Sequence, residues 1–502
     1  MRHPRRTLAA GATALLLAAC QPLPETAETA GRSFGQVQFQ PCTLTSPQAS
    51  GNVEAQCGTF EVAENPAEPQ GRRIALNIAW LEADKNSVGS PDPVFFLAGG
   101  PGQAATEVAS VINQALREVR KQRDVILVDQ RGTGGSNPLT CLGADGKELP
   151  VDESVAPTPE AMADYARRCA ASLQDRADTR FYTTTQAIAD LDAVRAALGV
   201  EKINLIGGSY GTRVAQQYAA RYPQHTRALV IDGVAPNELV VGGDFANTFE
   251  DAIGLQAAQC RGTPACAKRF PTDTGDQLRA VMARLRQAPV EVEYRDPGTG
   301  QARRDTLTAE TVTGLAFAFS YVPQLSSLLP LVLDEAAQQR YAPLMSLARM
   351  AGRQVGGQIN RGMQWSVICA EDADRYVAPE HSDRLLGPEV AQMFFAACQA
   401  WNAGERPQDF NLPLASELPV LLLSGELDPV TPPRYAEQVL KGLPNGRHLV
   451  AKGQGHGTLG VGCMPKLLGQ YLENADAKGL DASCLDTLEN VPAFTSFNGW
   501  EP

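Results

Sequence analysis

Ile203-Asn204-Leu205-Ile206-Gly207-Gly208-Ser209-Tyr210-Gly211-Thr212-Arg213-Val214 is the stretch from which the fold of this chain can be read. Residues 203–206 (INLI) form a short apolar run without alternation, which suits a strand buried on both faces of a parallel sheet. From Tyr210 the pattern turns helical, through Val214 and Tyr218 to Tyr222, and Pro223 stops it. Between the two lies Gly207-Gly208-Ser209-Tyr210-Gly211, a G-x-S-x-G in the strand-to-helix context that this pattern requires. Small residues flank the serine because a Cβ would clash in so tight a turn. The hydroxyl then stands clear of the sheet edge, as a nucleophile must.

On the N-terminal side of this stretch, residues 188, 191, 194 and 198 (Ile, Leu, Val, Leu) line one side of a helix that Thr185 can cap and Gly199 can end. Further continuous apolar runs occur at Val94–Leu97 (VFFL), Val125–Val128 (VILV), 229–231 (LVI) and 420–423 (VLLL), with a weaker one at 448–451. Arg73–Leu81 instead alternates, with Ile74, Leu76, Ile78 and Trp80 on one face, the pattern of a half-exposed strand near a sheet edge. Strands alternating with helices imply an α/β, doubly wound, mostly parallel sheet. The interval between 231 and 420 is far longer than one crossover needs. Its pattern is mainly helical, as at 276–287 and at 327–339, where Ser327 is a plausible cap and Pro330 falls in the first turn. Because sheet strands resume after it, it reads as a large helical cap insertion over the carboxyl edge. The expected organisation is 1–19 signal peptide, 20–35 tether, 36–235 first part of the core, 236–415 cap insertion and 416–502 second part of the core.

A serine hydroxyl needs a base. Of the five histidines, His3 lies in the signal, His225 in a polar loop, His381 in the cap among charges, and His448 at the start of a strand. Only His456 lies in a glycine-rich loop after the last strand, Gly453-Gln454-Gly455-His456-Gly457. The acid that orients its imidazole is expected in the loop after 420–423, where Asp428 is the candidate and Glu426 the rival. The chain order Ser209, Asp428, His456 is that of α/β-hydrolases. The oxyanion hole is expected from the N–H groups of Gly100, in Gly99-Gly100-Pro101-Gly102, and of Tyr210 at a helix N-terminus. Asp129-Gln130-Arg131-Gly132-Thr133-Gly134-Gly135-Ser136 does not complete a dinucleotide fingerprint and reads as a turn bracing that loop.

Composition is ordinary for a globular chain, 43% hydrophobic and 20% charged. A net charge of −12 argues against a nucleic-acid partner, which needs a basic footprint. Arg2, Arg5 and Arg6 precede an apolar stretch at 8–19, too short to span a bilayer as a mature helix, which reads as an export signal. Residues 17–20 (LAAC) resemble the lipobox of bacterial lipoproteins, in which Cys20 would be lipidated; plain cleavage near Ala19 is the alternative. Gln21 after the cysteine favours the outer membrane by that family's sorting habit. The chain is thus expected to be exported, either lipid-anchored in the cell envelope or periplasmic or secreted, with membrane contact only through the lipid. Ten cysteines remain, 42, 57, 141, 169, 260, 266, 369, 398, 463 and 484, an even set that suits disulfides in an exported chain. Connectivity stays open; sequential pairing closes the shortest loops. No zinc-like spacing occurs, so neither metal nor cofactor is expected.

Taken together, GGPG, DQRGTGGS, GGSYGT, GELDPVTP and GQGHG resemble the prolyl aminopeptidase and tripeptidyl aminopeptidase family of α/β-hydrolases, over roughly residues 40–490. The resemblance implies a serine exopeptidase, free of metal, that releases single residues or short peptides from free N-termini through an acyl-enzyme. Ala98 stands where the prolyl enzymes usually carry His before GGPG; the long cap and cysteines look more like the secreted tripeptidyl branch. Such an enzyme must hold a free ammonium, and Glu371 and Asp372, beside Cys369, are the candidates. The same residues also suit a carboxylesterase of small esters, and a non-catalytic, surface-anchored binding protein is the reading outside hydrolases. Peptides are the expected partners; the oligomeric state is left open.

Overall fold

The computed structural model of the protein describes residues 31–46, 51–84, 89–150, 158–355, 359–378 and 383–499. The expected export signal, Cys20, His3 and His381 lie outside these residues.

A single ten-stranded sheet organises the chain. Its strands are β1 (Arg32–Phe34), β2 (Val37–Thr45), β3 (Asn52–Ala63), β4 (Arg73–Leu81), β5 (Val94–Leu97), β6 (Val125–Val128), β7 (Ile203–Gly208), β8 (Thr226–Asp232), β11 (Val420–Gly425) and β12 (Gly446–Ala451). The remaining two, β9 (Val290–Arg295) and β10 (Ala302–Leu307), form a separate hairpin in the cap. The order across the large sheet is β1-β2-β3-β4-β6-β5-β7-β8-β11-β12. From β6 to β12 all neighbours are parallel; β1 to β4 extend the sheet antiparallel, and β4 joins β6 antiparallel. β5, β6 and β11 are buried along their whole length, as continuous apolar runs between two helical layers require.

The sheet corrects two expectations. β4 is an interior strand, because β2 and β3 continue the sheet beyond it; their alternating polar residues hid them among loop-like sequence. β1 begins at Arg32, so the last residues of the expected tether belong to the sheet.

One face of the sheet packs on the helices Thr184–Ala197 and Tyr210–Arg221, the other on Ala109–Ala115 and Met464–Asn474, giving two apolar cores. The first of these helices is capped by Thr183, whose hydroxyl accepts from Gln186 N–H, and not by Thr185. A third core lies in the cap, between β8 and β11, where helices such as Phe245–Gly262, Thr274–Gln287 and Ala309–Ser320 enclose Phe249, Leu278 and Phe319. Ser327 does not cap the helix Leu329–Ala337; it ends the short helix Pro323–Ser326 instead. The cap is mainly helical, and with the sheet it makes an α/β-hydrolase fold.

Candidate active site

Ser209 sits between the end of β7 and the helix Tyr210–Arg221, with φ 55° and ψ −126°. A positive φ in a residue with a Cβ costs on the order of 1–3 kcal/mol and persists only where its surroundings impose it. Here they do. Ser209 N–H donates to the Asp232 carbonyl at the end of β8 (2.9 Å), and Ser209 C=O accepts from Thr212 N–H (2.9 Å) and Thr212 Oγ1 (2.6 Å). Gly211 lets the helix close on β5: a Cβ there would lie 2.1 Å from the Leu97 carbonyl oxygen. The half-buried serine is therefore held at the carboxyl edge of the sheet's centre.

His456 and Asp428 meet beside it. Asp428 Oδ2 lies 2.7 Å from His456 Nδ1, the carboxylate fully buried and the imidazole 15% exposed. Asp428 Oδ1 accepts from Val430 N–H (2.9 Å) and Thr431 N–H (2.8 Å), and Thr431 Oγ1 donates to Oδ2 (2.8 Å). This arrangement requires a proton on Nδ1 and leaves Nε2 as the acceptor. Burial pushes the Asp428 carboxyl up, but the imidazole's charge and hydrogen bond and the two N–H groups outweigh it, so it is held below the usual carboxylate range. Burial likewise disfavours His456 as a cation, yet Asp428, and with it Asp232, holds the imidazole above the ordinary histidine value. Glu426, the rival acid, points elsewhere and accepts from Gly453 N–H (2.8 Å).

The histidine loop is gripped from the cap as well: His456 N–H donates to the Tyr321 carbonyl (2.9 Å), and the Tyr321 ring meets the imidazole edge-on, centroids 5.3 Å apart. Gly455 permits this approach, since a Cβ would lie 2.2 Å from the same carbonyl oxygen. Ser209 and His456 converge on the end of β8. A Cβ placed on Gly233, next to Asp232, would lie 3.0 Å from the imidazole Cε1. Among the described residues no hydrogen bond joins Ser209 Oγ to His456 Nε2.

Gly99 abuts the serine, a Cβ there falling 3.0 Å from Ser209 Cβ, and its N–H is taken by Gln103 Oε1 (3.3 Å). Gly100 follows with φ 109°, and Tyr210 is the first residue of its helix. Among the described residues neither Gly100 N–H nor Tyr210 N–H has a protein acceptor. The loop is braced by Asp129, whose carboxylate accepts from Thr106 N–H (2.9 Å), Asn77 Nδ2 (2.9 Å) and Gly135 N–H (3.0 Å).

Glu371 and Asp372 lie not in an open pocket but in a buried ion cluster, both 0% exposed. Arg213, on the helix that Ser209 begins, lies 3.0 Å from Asp372 Oδ2 and 3.8 Å from Glu371 Oε2. Arg375 takes Asp372 Oδ1 at 2.6 Å. With both oxygens engaged by guanidinium groups, Asp372 is a poor partner for a substrate ammonium, contrary to expectation. Glu371 accepts from Thr184 N–H (2.7 Å) and Thr184 Oγ1 (2.9 Å); that hydroxyl also meets Tyr210 Oη at 2.5 Å. Burial above all, offset in part by Arg213, pushes the Glu371 carboxyl up to about 7.

The remaining described histidines stand apart: His225 on Asp192, and His448 Nε2 on Ser424 Oγ (2.9 Å). Five disulfides join Cys42–Cys57, Cys141–Cys169, Cys260–Cys266, Cys369–Cys398 and Cys463–Cys484. So many bridges accord with an oxidising, extracytoplasmic setting. Among the described residues no helix is long and apolar enough to cross a membrane, and no cluster of His, Cys, Asp or Glu is placed to hold a metal. Tyr321 and Asp232 carried no sequence signal of their own, Asp232 standing only as the residue after an apolar run; Thr431 stood inside the GELDPVTP segment with no role read for it.

A family profile described as alpha/beta hydrolase fold matches residues 92–462. The chain is 26% identical over 510 residues to serine protease Hip1 of Mycobacterium tuberculosis, across 95% of this chain and 96% of that protein. It is 31% identical over 190 residues to the tripeptidyl aminopeptidase of Streptomyces lividans, across 36% of this chain and 35% of that one. Proline iminopeptidase of Mycobacterium smegmatis, a solved structure, aligns with a TM-score of 0.41 at 17% identity, covering 83% of this chain and 98% of that chain. The profile spans most of the chain and takes in the parallel strands of the sheet, the serine turn and the cap, leaving out β1 to β4: this protein belongs to the α/β-hydrolase fold family, among relatives that include serine proteases and prolyl and tripeptidyl aminopeptidases.

Proposed function

We propose that this protein is a serine peptidase that releases residues from free peptide N-termini, with Ser209 as nucleophile, His456 as general base and Asp428 as the acid that orients it. The observation that carries the reading is the buried 2.7 Å bond between Asp428 and His456 Nδ1, beside a serine on a strained strand-to-helix turn. His456 Nε2 takes the Ser209 proton as the hydroxyl attacks the carbonyl; such hydrogen bonds commonly tighten only when substrate is bound. The N–H groups of Gly100 and Tyr210 receive the oxyanion. His456 then protonates the leaving amine, and water repeats the sequence on the acyl-enzyme.

Glu371 is the candidate partner of the substrate ammonium. It stands one hydrogen bond behind Thr184, whose hydroxyl also meets Tyr210 Oη. An entering ammonium would replace that hydroxyl on Glu371 Oε2. A run of half-buried aromatic rings leads away from His456 through Tyr321, Phe317, Phe245 and Phe394, with successive centroids 5.4–5.8 Å apart, and offers an apolar wall to substrate side chains.

The test is labelling of the protein with a fluorophosphonate probe, followed by a panel of free and N-acetylated peptide amides beside short-chain esters, with the products sequenced. Labelling at Ser209 and cleavage of free-amine peptides alone support the reading. Ester turnover without peptide release would make the protein a carboxylesterase, and failure to label would leave a binding protein on a hydrolase scaffold.

A further inference from the structure

We infer that Asp232 is a positioning residue that sets the spacing between Ser209 and His456, tying the nucleophile's loop to the base's loop through one side chain and its own backbone. The inference rests on the proposed roles of Ser209 and His456.

Asp232 ends β8, and its carbonyl accepts the N–H of Ser209 (2.9 Å). Its carboxylate turns the other way. Oδ2 accepts from Thr458 N–H (2.6 Å) and Leu459 N–H (3.0 Å), and Oδ1 from Thr458 Oγ1 (2.8 Å). The two residues so held follow His456 closely, and Gly233 packs on the imidazole itself. Asp232 is buried, 2% exposed. Every hydrogen bond it makes thus goes to the segment that carries the base, and the one made by its carbonyl goes to the nucleophile.

Asp428 cannot supply this restraint. It fixes the tilt of the imidazole from Nδ1, but it sits on the loop after β11 and makes no bond to the serine turn. Without Asp232, Thr458 and Leu459 would lose their hydrogen bonds to the end of β8, and the loop would keep the bond from His456 N–H to the Tyr321 carbonyl and the burial of Leu459 but no tie to the serine turn. Misplacing reacting groups by about 1 Å can cost on the order of 10²-fold in rate.

The two obvious substitutions separate geometry from charge. In Asp232→Asn the amide oxygen can take the place of Oδ2 and accept both N–H groups, while the amide nitrogen donates to Thr458 Oγ1. The loop stays tied, but the negative charge is gone. In Asp232→Ala both ties and charge are lost. The charged and titratable groups facing the imidazole are Asp428 from the loop after β11, Asp232 from β8, and the Tyr321 phenol from the cap. The phenol is held above its usual range by burial and by Asp428. Only Asp232 changes; burial pushes its own carboxyl up, against the Thr458 and Leu459 donors and the imidazole's charge, and its anion favours the imidazolium.

The experiment measures kcat, KM, the pH profile and fluorophosphonate labelling for wild type, Asp232→Asn, Asp232→Ala and Ser209→Ala. Asp232→Asn should keep plateau kcat within about 3-fold of wild type while the acid limb of its profile moves to lower pH. Asp232→Ala should lose about 10²-fold in kcat with KM nearly unchanged. Should the alanine variant not fold, the asparagine profile decides alone. A labelled wild type whose profile superimposes on that of Asp232→Asn, or a folded Asp232→Ala with wild-type kcat, overturns the inference and leaves the hydrolase reading standing. A wild type that does not label overturns both.

Discussion

Replacing Asp428 by Asn tests the site at its most constrained point. Oδ1 accepts from Val430 N–H and Thr431 N–H, so an asparagine must keep its carbonyl oxygen there. Its amide nitrogen then occupies the Oδ2 position, 2.7 Å from His456 Nδ1. Two N–H donors cannot face one another, so the imidazole must carry its proton on Nε2, where it cannot accept one from Ser209. The charge that stabilises the imidazolium disappears as well. Unit charges about 4 Å apart at an effective dielectric of about 20 attract by about 4 kcal/mol, which is about 10³-fold in rate. The tautomer adds to this, and the same change in a Ser-His-Asp protease lowers kcat by about 10⁴-fold. We expect a loss of about 10³- to 10⁴-fold in kcat, read on a chromogenic peptide and by the rate of fluorophosphonate labelling. The fold should persist, because the amide still satisfies both backbone donors. Glu426 is committed to Gly453 N–H and cannot stand in, so Glu426→Gln should change kcat by less than about 3-fold. A folded Asp428→Asn protein that labels at the wild-type rate would refute the assignment.

Further expectations bear on the nucleophile, the base and the acidic cluster. Ser209→Ala should fold yet lose probe labelling and nearly all turnover, and Ser209→Gly, freed of the positive-φ penalty, should be stabilised by about 1 kcal/mol in denaturant titrations. His456 must be neutral to act as base, and its surroundings favour the cation; activity should therefore fall on acidification from a pH above that of a free histidine, as the kcat/KM profile would report. Glu371→Gln should raise KM for free-amine peptides and spare N-acetylated substrates; an equal loss on both would limit Glu371 to bracing the nucleophile helix. Gly211→Ala drives a Cβ to 2.1 Å from the Leu97 carbonyl oxygen and should yield little folded protein, scored by soluble yield and thermal melting.

The amino-acid pattern alone marked the buried strands and the tight turns, though not the exact helix caps, which the structure places at Thr183 and Leu328. Apolar runs without alternation mark β5, β6, β7 and β11 because strands buried on both faces have no polar side to show. Glycines around Ser209 and His456 mark turns that admit no side chain, and the chain order of serine, acid and histidine follows from which strands those turns leave. The even set of cysteines suited disulfides, but their spacing left the connectivity open, and the structure supplies the pairing. The tertiary structure decided what depends on faces meeting across long separations. β2 and β3 were hidden because a sheet's solvent-facing half alternates with polar residues, and only their pairing turns β4 into an interior strand. The acids at 371 and 372 read from the sequence as candidates to hold a substrate ammonium; it is Arg213, far away in sequence, that makes them a buried cluster. Asp232 carried no motif, since its weight comes from lying between two loops that are distant along the chain and adjacent only once the sheet has formed.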